Sequence, residues 1–466
     1  MNALPKPEVH EQPLYFRHQK VYPREVSGRY ARLRTLSVWV LLGIFYLLPW
    51  LQWGDRQAVL FDLPARKFFI LGLVFWPQDF IFLTWLLIIA ALALFFFTAI
   101  GGRLWCGYAC PQTVWTEAFL WMEQLAEGDR PARMKLDRAP WDARKLARKT
   151  LKQVLWVSFA LWTGFTFVGF FTPIRALAGE IATLSMGGWE VFWVLFYGFA
   201  TYGNAGYLRE QVCKYMCPYA RFQGAMFDRD TLVITYDAER GEPRGARRRG
   251  TEPAAKEGDC VDCTWCVQVC PTGIDIRDGL QIDCIACAAC IDACDTVMDK
   301  VGSPRGLIRY TTQNALEHKP TRVLRPRVIL YGALLTSLIG GFVAAVALRS
   351  PVSLDVLRDR NTMYRLTDDG NVDNVYTVRI LNKSEHERVF VLEASGSSPL
   401  TLLPAGREYR VPEGAIYSLP IRVRRAAYDP ESQAVLGPET ITFTLRAADD
   451  ADTSVDTEAR FLAPIK

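Results

Sequence analysis

Twelve cysteines occur in this chain of 466 residues, and they fall into four tight groups with none left over. Cys106 and Cys110 form one pair, and Cys213 and Cys217 form a second. Each pair reads C-x3-C-P. Two runs of four follow: Cys260, Cys263, Cys266, Cys270 and then Cys284, Cys287, Cys290, Cys294, both spaced C-x2-C-x2-C-x3-C. Soft thiolate sulfur matches iron, and this is the ligand spacing of a bacterial ferredoxin with two [4Fe–4S] clusters. In such a ferredoxin the fourth cysteine of each run crosses to the other cluster. The first cluster is therefore assigned Cys260, Cys263, Cys266 and Cys294. The second is assigned Cys284, Cys287, Cys290 and Cys270. Pro271 follows Cys270 in the usual way, whereas Asp295 follows Cys294, so the usual turn is not expected there. Zinc is the rival metal, since eight cysteines can hold two zinc ions, but zinc sites seldom show two successive runs of this form.

A C-x3-C pair puts two thiols one turn apart on one helix face. Pro111 and Pro218 come next, and proline suits the first turn of a new helix or a break between two. Pairs so placed could hold a soft ion such as Cu(I), cycle between dithiol and disulfide, or relay electrons. Ordinary packing of buried cysteine is the alternative. Repetition at matching sites, with no stray cysteine elsewhere, favours function. Met216 could add a thioether or simply pack. Trp115, Phe119, Met122 and Leu125 recur at helical spacing after the first pair, a stripe expected of an interfacial helix lying on lipid.

Absences narrow the chemistry further. The only histidines are His10, His18, His318 and His386, none within an apolar span, so a bis-histidine haem in the membrane is excluded. There is no C-x-x-C-H and no dinucleotide fingerprint after a strand. Electrons must then come from outside, from a quinol, a flavoprotein or another carrier.

The elements that position these groups are membrane helices. Half of the residues are hydrophobic, yet the mean hydropathy is only +0.06, so very apolar stretches alternate with charged ones. Five segments approach the ~20 residues needed to cross a bilayer: Leu36–Trp53, Phe80–Ile100, Gln153–Thr172, Gly188–Leu208 and Val328–Leu348. The run FIFLTWLLIIAALALFFFTAI is apolar on every face, which excludes a helix of a soluble surface. Trp39, Trp50, Trp53, Trp76, Trp105 and Trp189 lie near span ends, as an interfacial belt requires. Residues 1–34 are polar and basic without an apolar core, so no cleaved signal is expected. Lys and Arg crowd this tail, the loop between spans 2 and 3, and the approach to span 5. Only Arg175 lies between spans 3 and 4. The positive-inside rule then puts all twelve cysteines in the cytoplasm, where thiols stay reduced, and residues 350–466 in the periplasm. The net charge of +5 is concentrated beside the spans, which points to membrane lipid and not to nucleic acid.

RLWCGYACPQ after span 2 and REQVCKYMCPYARFQ after span 4 suggest an internal repeat of two hairpins. Residues 238–258 are rich in Gly, Pro and charge and read as a solvated linker, with Arg247, Arg248 and Arg249 a candidate contact for anionic lipid. Beyond Pro351, NVYTVRILN, RVFVLEA, REYRVP, AIYSLPIRVRR and TITFTLRA alternate like strands of an antiparallel β-sandwich. The expected organisation is a cytoplasmic tail (1–34), a four-helix core with both C-x3-C-P motifs (35–230) and a linker (231–258). A two-cluster ferredoxin-like domain with its connector (259–326), a fifth membrane helix (327–349) and a β-sandwich (350–466) complete it.

Across nearly its whole length the chain resembles the CcoG/FixG/RdxA family of cytochrome oxidase accessory proteins. The paired C-x3-C-P motifs, the two ferredoxin runs, Ser303–Leu316 (SPRGLIRYTTQNAL), the five spans and the C-terminal domain carry the resemblance. The quinol-oxidising NapH proteins share the core and motifs but lack the last domain. Membership implies an immunoglobulin-like sandwich and a membrane-bound reductase of Cu(II) to Cu(I) for assembly of a cbb3-type oxidase. Cys106, Cys110, Cys213 and Cys217 would handle copper, fed by the eight ferredoxin cysteines and their clusters. A copper-exporting P-type ATPase and a copper importer are the implied partners; a homodimer is a further expectation. A quinol-oxidising electron-transfer subunit and a non-enzymatic scaffold or redox sensor are the alternatives.

Overall fold

Apolar side chains on every face leave a helix with no water-facing side, and long helices of this kind dominate the first half of the chain. The computed structural model describes residues 20–246, 258–360, 362–384, 386–404, 408–429, 434–435, 437–450 and 453–464. Among them, four helices are long and apolar enough to cross a membrane: Arg29–Trp50, Pro77–Gly101, Ala143–Val168 and Pro326–Ala347. The chain divides into two units. One comprises Met1–Leu47, Ala91–Val168 and Thr183–Leu335; the other comprises Leu48–Ala90, Gly169–Ala182 and Thr336–Lys466.

In chain order the helices that matter are α1 (Arg29–Leu47), α2 (Phe80–Gly101), α3 (Leu104–Tyr108), α4 (Pro111–Glu127), α5 (Arg130–Arg138), α6 (Ala143–Val168), α7 (Ile174–Thr183), α8 (Gly188–Thr201) and α9 (Pro218–Ala225). The expected spans 1 and 3 begin too late, because α1 starts on Arg29 and α6 runs through Arg144, Lys145, Arg148 and Lys149 in its first two turns. Lys and Arg are good helix formers, so hydropathy marks the bilayer and not the helix start. The expected fourth span is α-helical only to Thr201 and continues as a π-helix over Tyr202–Leu208. Such widened turns cluster at functional sites.

Within the first unit, α6 lies against α8 so closely that a Cβ on Gly164 would sit 2.2 Å from the Val194 carbonyl oxygen. Small residues permit this approach between membrane helices. The stripe on α4 does not lie on lipid as expected. Phe119 is fully buried and packs with Trp156 and Ala160, with Trp115 and Met122 at the edge; only Leu125 is exposed. Asp292, from the cluster region, accepts hydrogen bonds from the amides of Tyr30 and Ala31 at 3.2 and 2.7 Å and so caps α1.

The expected linker is a correction. Its first part forms strand Val233–Tyr236, which pairs antiparallel with Ile308–Thr311 across the cluster region. Residues 238–241 then make a helical turn, pinned by Arg240 to Asp259 at 2.5 Å. Arg247, Arg248 and Arg249 lie outside the described residues.

In the second unit, residues 352–461 form two antiparallel sheets. One orders its strands Thr401–Leu403, Ile416–Ala426, Asn371–Asn382, Val352–Arg358; the other orders Glu408–Val411, Arg388–Ser395, Glu439–Ala447, Ser454–Phe461. Alternate residues turn inward to a core that includes Tyr376, Val378, Phe390, Phe443 and Phe461. All five expected strands form.

Also in this unit, Asp79, ahead of α2, receives Lys383 at 3.0 Å and Arg349 at 3.3 Å, all three largely buried. Breaking a buried ion pair from one side costs ~3–5 kcal/mol, because the partner charge stays behind. Asp79→Asn is therefore expected to lower the thermal unfolding midpoint of the sandwich by several degrees while leaving the cysteine-bearing unit unchanged. Circular dichroism melting of the full chain measures it, and an unaltered midpoint would show the triad to be idle.

Candidate functional site

Proline forbids its predecessor the helical region, and this decides how both cysteine pairs are built. Cys106 lies in α3, but Cys110 is extended (ψ 128°) and serves as the N-cap of α4, with Pro111 in the first turn. Cys213 lies in a second π-helical stretch, Val212–Met216, and Cys217 (ψ 107°) caps α9 ahead of Pro218. The two thiols of a pair thus do not share one helix face, contrary to the expectation from spacing. The repeat holds at this level: each pair is a helical cysteine followed by a capping one. Met216 is exposed.

The four thiols stand near one another. The charge on Cys106 is felt by Cys110, Cys213 and Cys217, and that on Cys213 by Cys110 and Cys217. Burial pushes Cys106 up to about 12 and Cys213 up to about 11, with Arg103 pulling both back. Without a cation beside them both are neutral thiols at physiological pH, which disfavours spontaneous disulfide exchange. Cys106 Sγ donates to Gln223 Oε1 at 3.0 Å, and the Thr113 hydroxyl donates to the Cys106 carbonyl at 2.6 Å. Among the described residues, no three His, Cys, Asp or Glu side chains converge closely enough to ligate one ion.

The eight remaining cysteines partition between two cavities. Cys260, Cys263, Cys266 and Cys294 line one, together with Tyr236, Met298 and Arg277. Cys270, Cys284, Cys287 and Cys290 line the other, with Cys266 at the wall between them. The fourth cysteine of each run therefore sits with the other run, the crossed arrangement that the spacing predicts. Local backbone supports it. Asp262 and Thr264 in the first run, and Ala286 and Ala288 in the second, occupy the same positions and all have positive φ, between 50° and 59°. Left-handed residues at matching points curl both loops around their cavities, at a steric cost for non-glycine residues. Cys294 lies inside the helix Ala289–Val301, which explains why no proline follows it. Burial pushes Cys266, Cys284 and Cys294 up to about 12. Thiols so desolvated ionise only against a strong local positive charge, so this donor set fits an iron–sulfur cluster in each cavity.

Arg277 adds a cation beside the first cavity, held by Asp275 at 2.6 Å and by Asp262. The loop of the second cavity touches α3, which carries Cys106. A Cβ on Gly107 would lie 2.7 Å from the Ala286 carbonyl oxygen and 2.8 Å from that of Ile285, so α3 runs backbone to backbone along the loop of Cys284 and Cys287. Buried Arg103 donates to the carbonyls of Ile282, Cys284 and Ala220, joining that loop, the first pair and the helix after the second pair. Tyr310 donates to the Ala286 carbonyl at 2.6 Å from the far side. Behind the second pair, Arg209 (φ 43°) is fixed by fully buried Glu123 at 2.8 Å, in a network with Arg133 and Lys152. Sequence reading missed Arg103, Gly107, Gln223 and Glu123. The flanks of the motif, R-x2-C-G and the Gln of RFQ, were the available signal for the first three; nothing local marks Glu123.

Three family profiles match: a 4Fe–4S dicluster domain over residues 208–313, a 4Fe–4S binding domain over 83–126, and the immunoglobulin-like fold at the C-terminus of FixG over 342–464. The first begins well before the first ferredoxin cysteine, in keeping with the strand at Val233–Tyr236. The chain is 41% identical over 414 residues to protein RdxB of Cereibacter sphaeroides, covering 86% of this chain and 87% of RdxB. It is 39% identical over 434 residues to the nitrogen fixation protein FixG of Rhizobium meliloti, covering 85% and 83%. A solved structure of a FixG-related protein from Vibrio parahaemolyticus matches 25% of this chain and 100% of its own, at 24% identity and a TM-score of 0.22. With relatives this similar over most of both chains, and with the FixG-type C-terminal domain in place, this chain belongs to the FixG/RdxA family of membrane-associated iron–sulfur proteins, whose 4Fe–4S domains serve electron transfer.

Proposed function

We propose that this protein reduces Cu(II) to Cu(I) at the membrane-edge cysteine pairs and releases the product for assembly of a cbb3-type cytochrome oxidase. Cys260, Cys263, Cys266 and Cys294 would hold one [4Fe–4S] cluster, and Cys270, Cys284, Cys287 and Cys290 the other. Such clusters supply single electrons at low potential. The observation that carries the reading is the contact of α3, which bears Cys106, with the Cys284–Cys287 loop through Gly107 and Arg103. It makes the copper-handling thiols the immediate neighbours of the second cluster cavity.

The chain's own groups account for the chemistry as follows. Cu(II) displaces the protons of two neutral thiols, one electron arrives through the α3 contact, and Cu(I) results. Sulfur ligands prefer the soft Cu(I), and a two-thiolate site favours it over Cu(II), so ligation helps to drive the reduction. Gln223 and Thr113 hold Cys106 in place, and the Glu123–Arg209 pair holds the backbone ahead of Cys213. The basic residues beside the spans support an inner-membrane orientation with the clusters in the cytoplasm and the sandwich in the periplasm. A copper-exporting P-type ATPase, a copper importer and a second copy of the chain are the partners this reading carries.

The test is the double variant Cys106→Ser with Cys213→Ser, purified without oxygen, pre-reduced with dithionite and then freed of it by gel filtration. Copper reduction, followed with a Cu(I) chelator, should fall to the level of buffer without protein, while the visible absorbance of both clusters is unchanged. Wild-type rates in that variant would overturn the reading.

A further inference from the structure

We propose that the cavity walled by Arg34, Thr116, Glu117, Trp121, Cys213 and Cys287 is the binding site for a neutral, hydroquinone-class electron donor. This deepens the function above, since it rests on the clusters acting as electron carriers. The cavity encloses about 190 Å³ within the cysteine-bearing unit, below the ~300 Å³ at which pockets for drug-sized ligands begin. It therefore suits a small ring system. One wall holds Cys287, of the second cluster cavity, and another holds Cys213, of the second thiol pair. A redox-active molecule lodged there meets both electron-carrying elements.

The charge balance selects a neutral ligand. Arg24, Arg34, Arg133 and Arg209 line the cavity together with Glu25, Glu117 and Glu210, and Glu123 pairs with two of the arginines, so the charges balance. Arg133 and Arg209 are paired with Glu123. Arg24 stacks on Trp265. Arg34 donates to the Cys287 carbonyl at 2.6 Å and faces Glu117. Glu25, another lining residue, accepts from Gln124 at 2.5 Å. No cradle for a phosphate is left.

What remains is an indole face from Trp121, apolar wall from Leu120 and Ile285, and two groups able to bind ring hydroxyls, the Thr116 hydroxyl and the Glu117 carboxyl. Burial raises the Glu117 pKa above the ordinary carboxylate value, with Arg34 and Trp121 opposing, and its place in the cavity wall sets this carboxyl where it can accept a ring-hydroxyl proton. Oxidation of a hydroquinone to the quinone releases two electrons and two protons. Clusters held by the two cysteine-lined cavities would take one electron each, and the protons would leave in turn through Glu117 and water at the cavity mouth.

The experiment uses the full chain with oxidised clusters in nanodiscs, and the probe is 2-heptyl-4-hydroxyquinoline N-oxide, a quinol analogue whose fluorescence is quenched on binding. Saturable quenching at one probe per chain is expected for the wild type, weakened about ten-fold in Glu117→Gln, the size of one lost charge-assisted hydrogen bond. Tail-free menadione and decylubiquinone should both displace the probe. No saturable quenching in the wild type, or equal affinity in Glu117→Gln, overturns the proposal. Displacement by decylubiquinone alone also overturns it, because recognition would then lie with the acyl tail. Should Glu117→Gln fail to assemble its clusters, Thr116→Val replaces it, with weaker binding expected and unchanged binding decisive against. Wild-type protein that binds the probe but, pre-reduced with dithionite, leaves Cu(II) untouched overturns the copper reading and leaves this site standing.

Discussion

Cys294→Ala is expected to remove the cluster of the first run and spare that of the second. Cys294 lies 24 residues beyond Cys270, on a helix that starts in the second run, yet it lines the cavity of Cys260, Cys263 and Cys266. Losing it leaves three thiolates for four irons, so iron content should fall from about eight to about four per chain. One cluster signal should persist in the EPR spectrum of the reduced protein. Cys270→Ala should remove the other cluster, and each variant should retain the signal that its counterpart lacks. Because Ile308, Met298 and Tyr236 pack around the first cavity, Cys294→Ala should also loosen the strand pair Val233–Tyr236 with Ile308–Thr311. Hydrogen exchange at those strands would report it. If Cys294→Ala lacked the signal that Cys284→Ala lacks, and not the one that Cys260→Ala lacks, the crossed partition would be wrong.

The second large effect is expected at Gly107. A side chain there would begin 2.7 Å from a backbone oxygen that belongs to the cluster loop and is itself tied by Tyr310. Backbone cannot swing aside as a flexible side chain can, so Gly107→Val must push α3 off the loop, at about 1–3 kcal/mol of overpacking. Both clusters should still assemble, since no ligand is touched. Copper reduction by dithionite-reduced protein should drop by about ten- to a hundred-fold, the scale on which a misplacement of ~1 Å slows a reaction. Gly107→Ala should show the same effect at smaller size. Full activity in Gly107→Val would mean that electrons reach the pairs by another path, and Arg103 would then be the next contact to remove.

Much of the architecture was legible in the residues themselves, for reasons that are local. C-x2-C-x2-C-x3-C declares a cluster loop because neighbouring thiols must close around one object, and the left-handed residues between them repeat in both runs. Phe80–Gly101 declares a membrane helix because nothing on it can face water. The alternating strands from Asn371 to Ala447 declare a two-faced sheet because their period of two is visible in any short window. The two ferredoxin runs, the apolar spans and the family follow from such signals.

Misreadings arose where a distant or opposing force prevailed. C-x3-C alone implies one helix face, but Pro111 and Pro218 expel the preceding cysteine from the helix. Composition made residues 231–258 a linker, yet Val233–Tyr236 finds its partner strand more than seventy residues later. The stripe on α4 has the period of a lipid-facing helix, and only the arrival of Trp156 turns it into core.

Sequence by itself therefore determined the metal chemistry, the apolar spans and the sandwich, because each is written in spacings shorter than one helix or one loop. Tertiary structure alone decided how near Gly107 brings the thiols to the cluster loop, and that Glu117, Cys213 and Cys287 share one cavity. Those are meetings between segments far apart in the chain. They are set by close packing, which no local pattern of residues encodes.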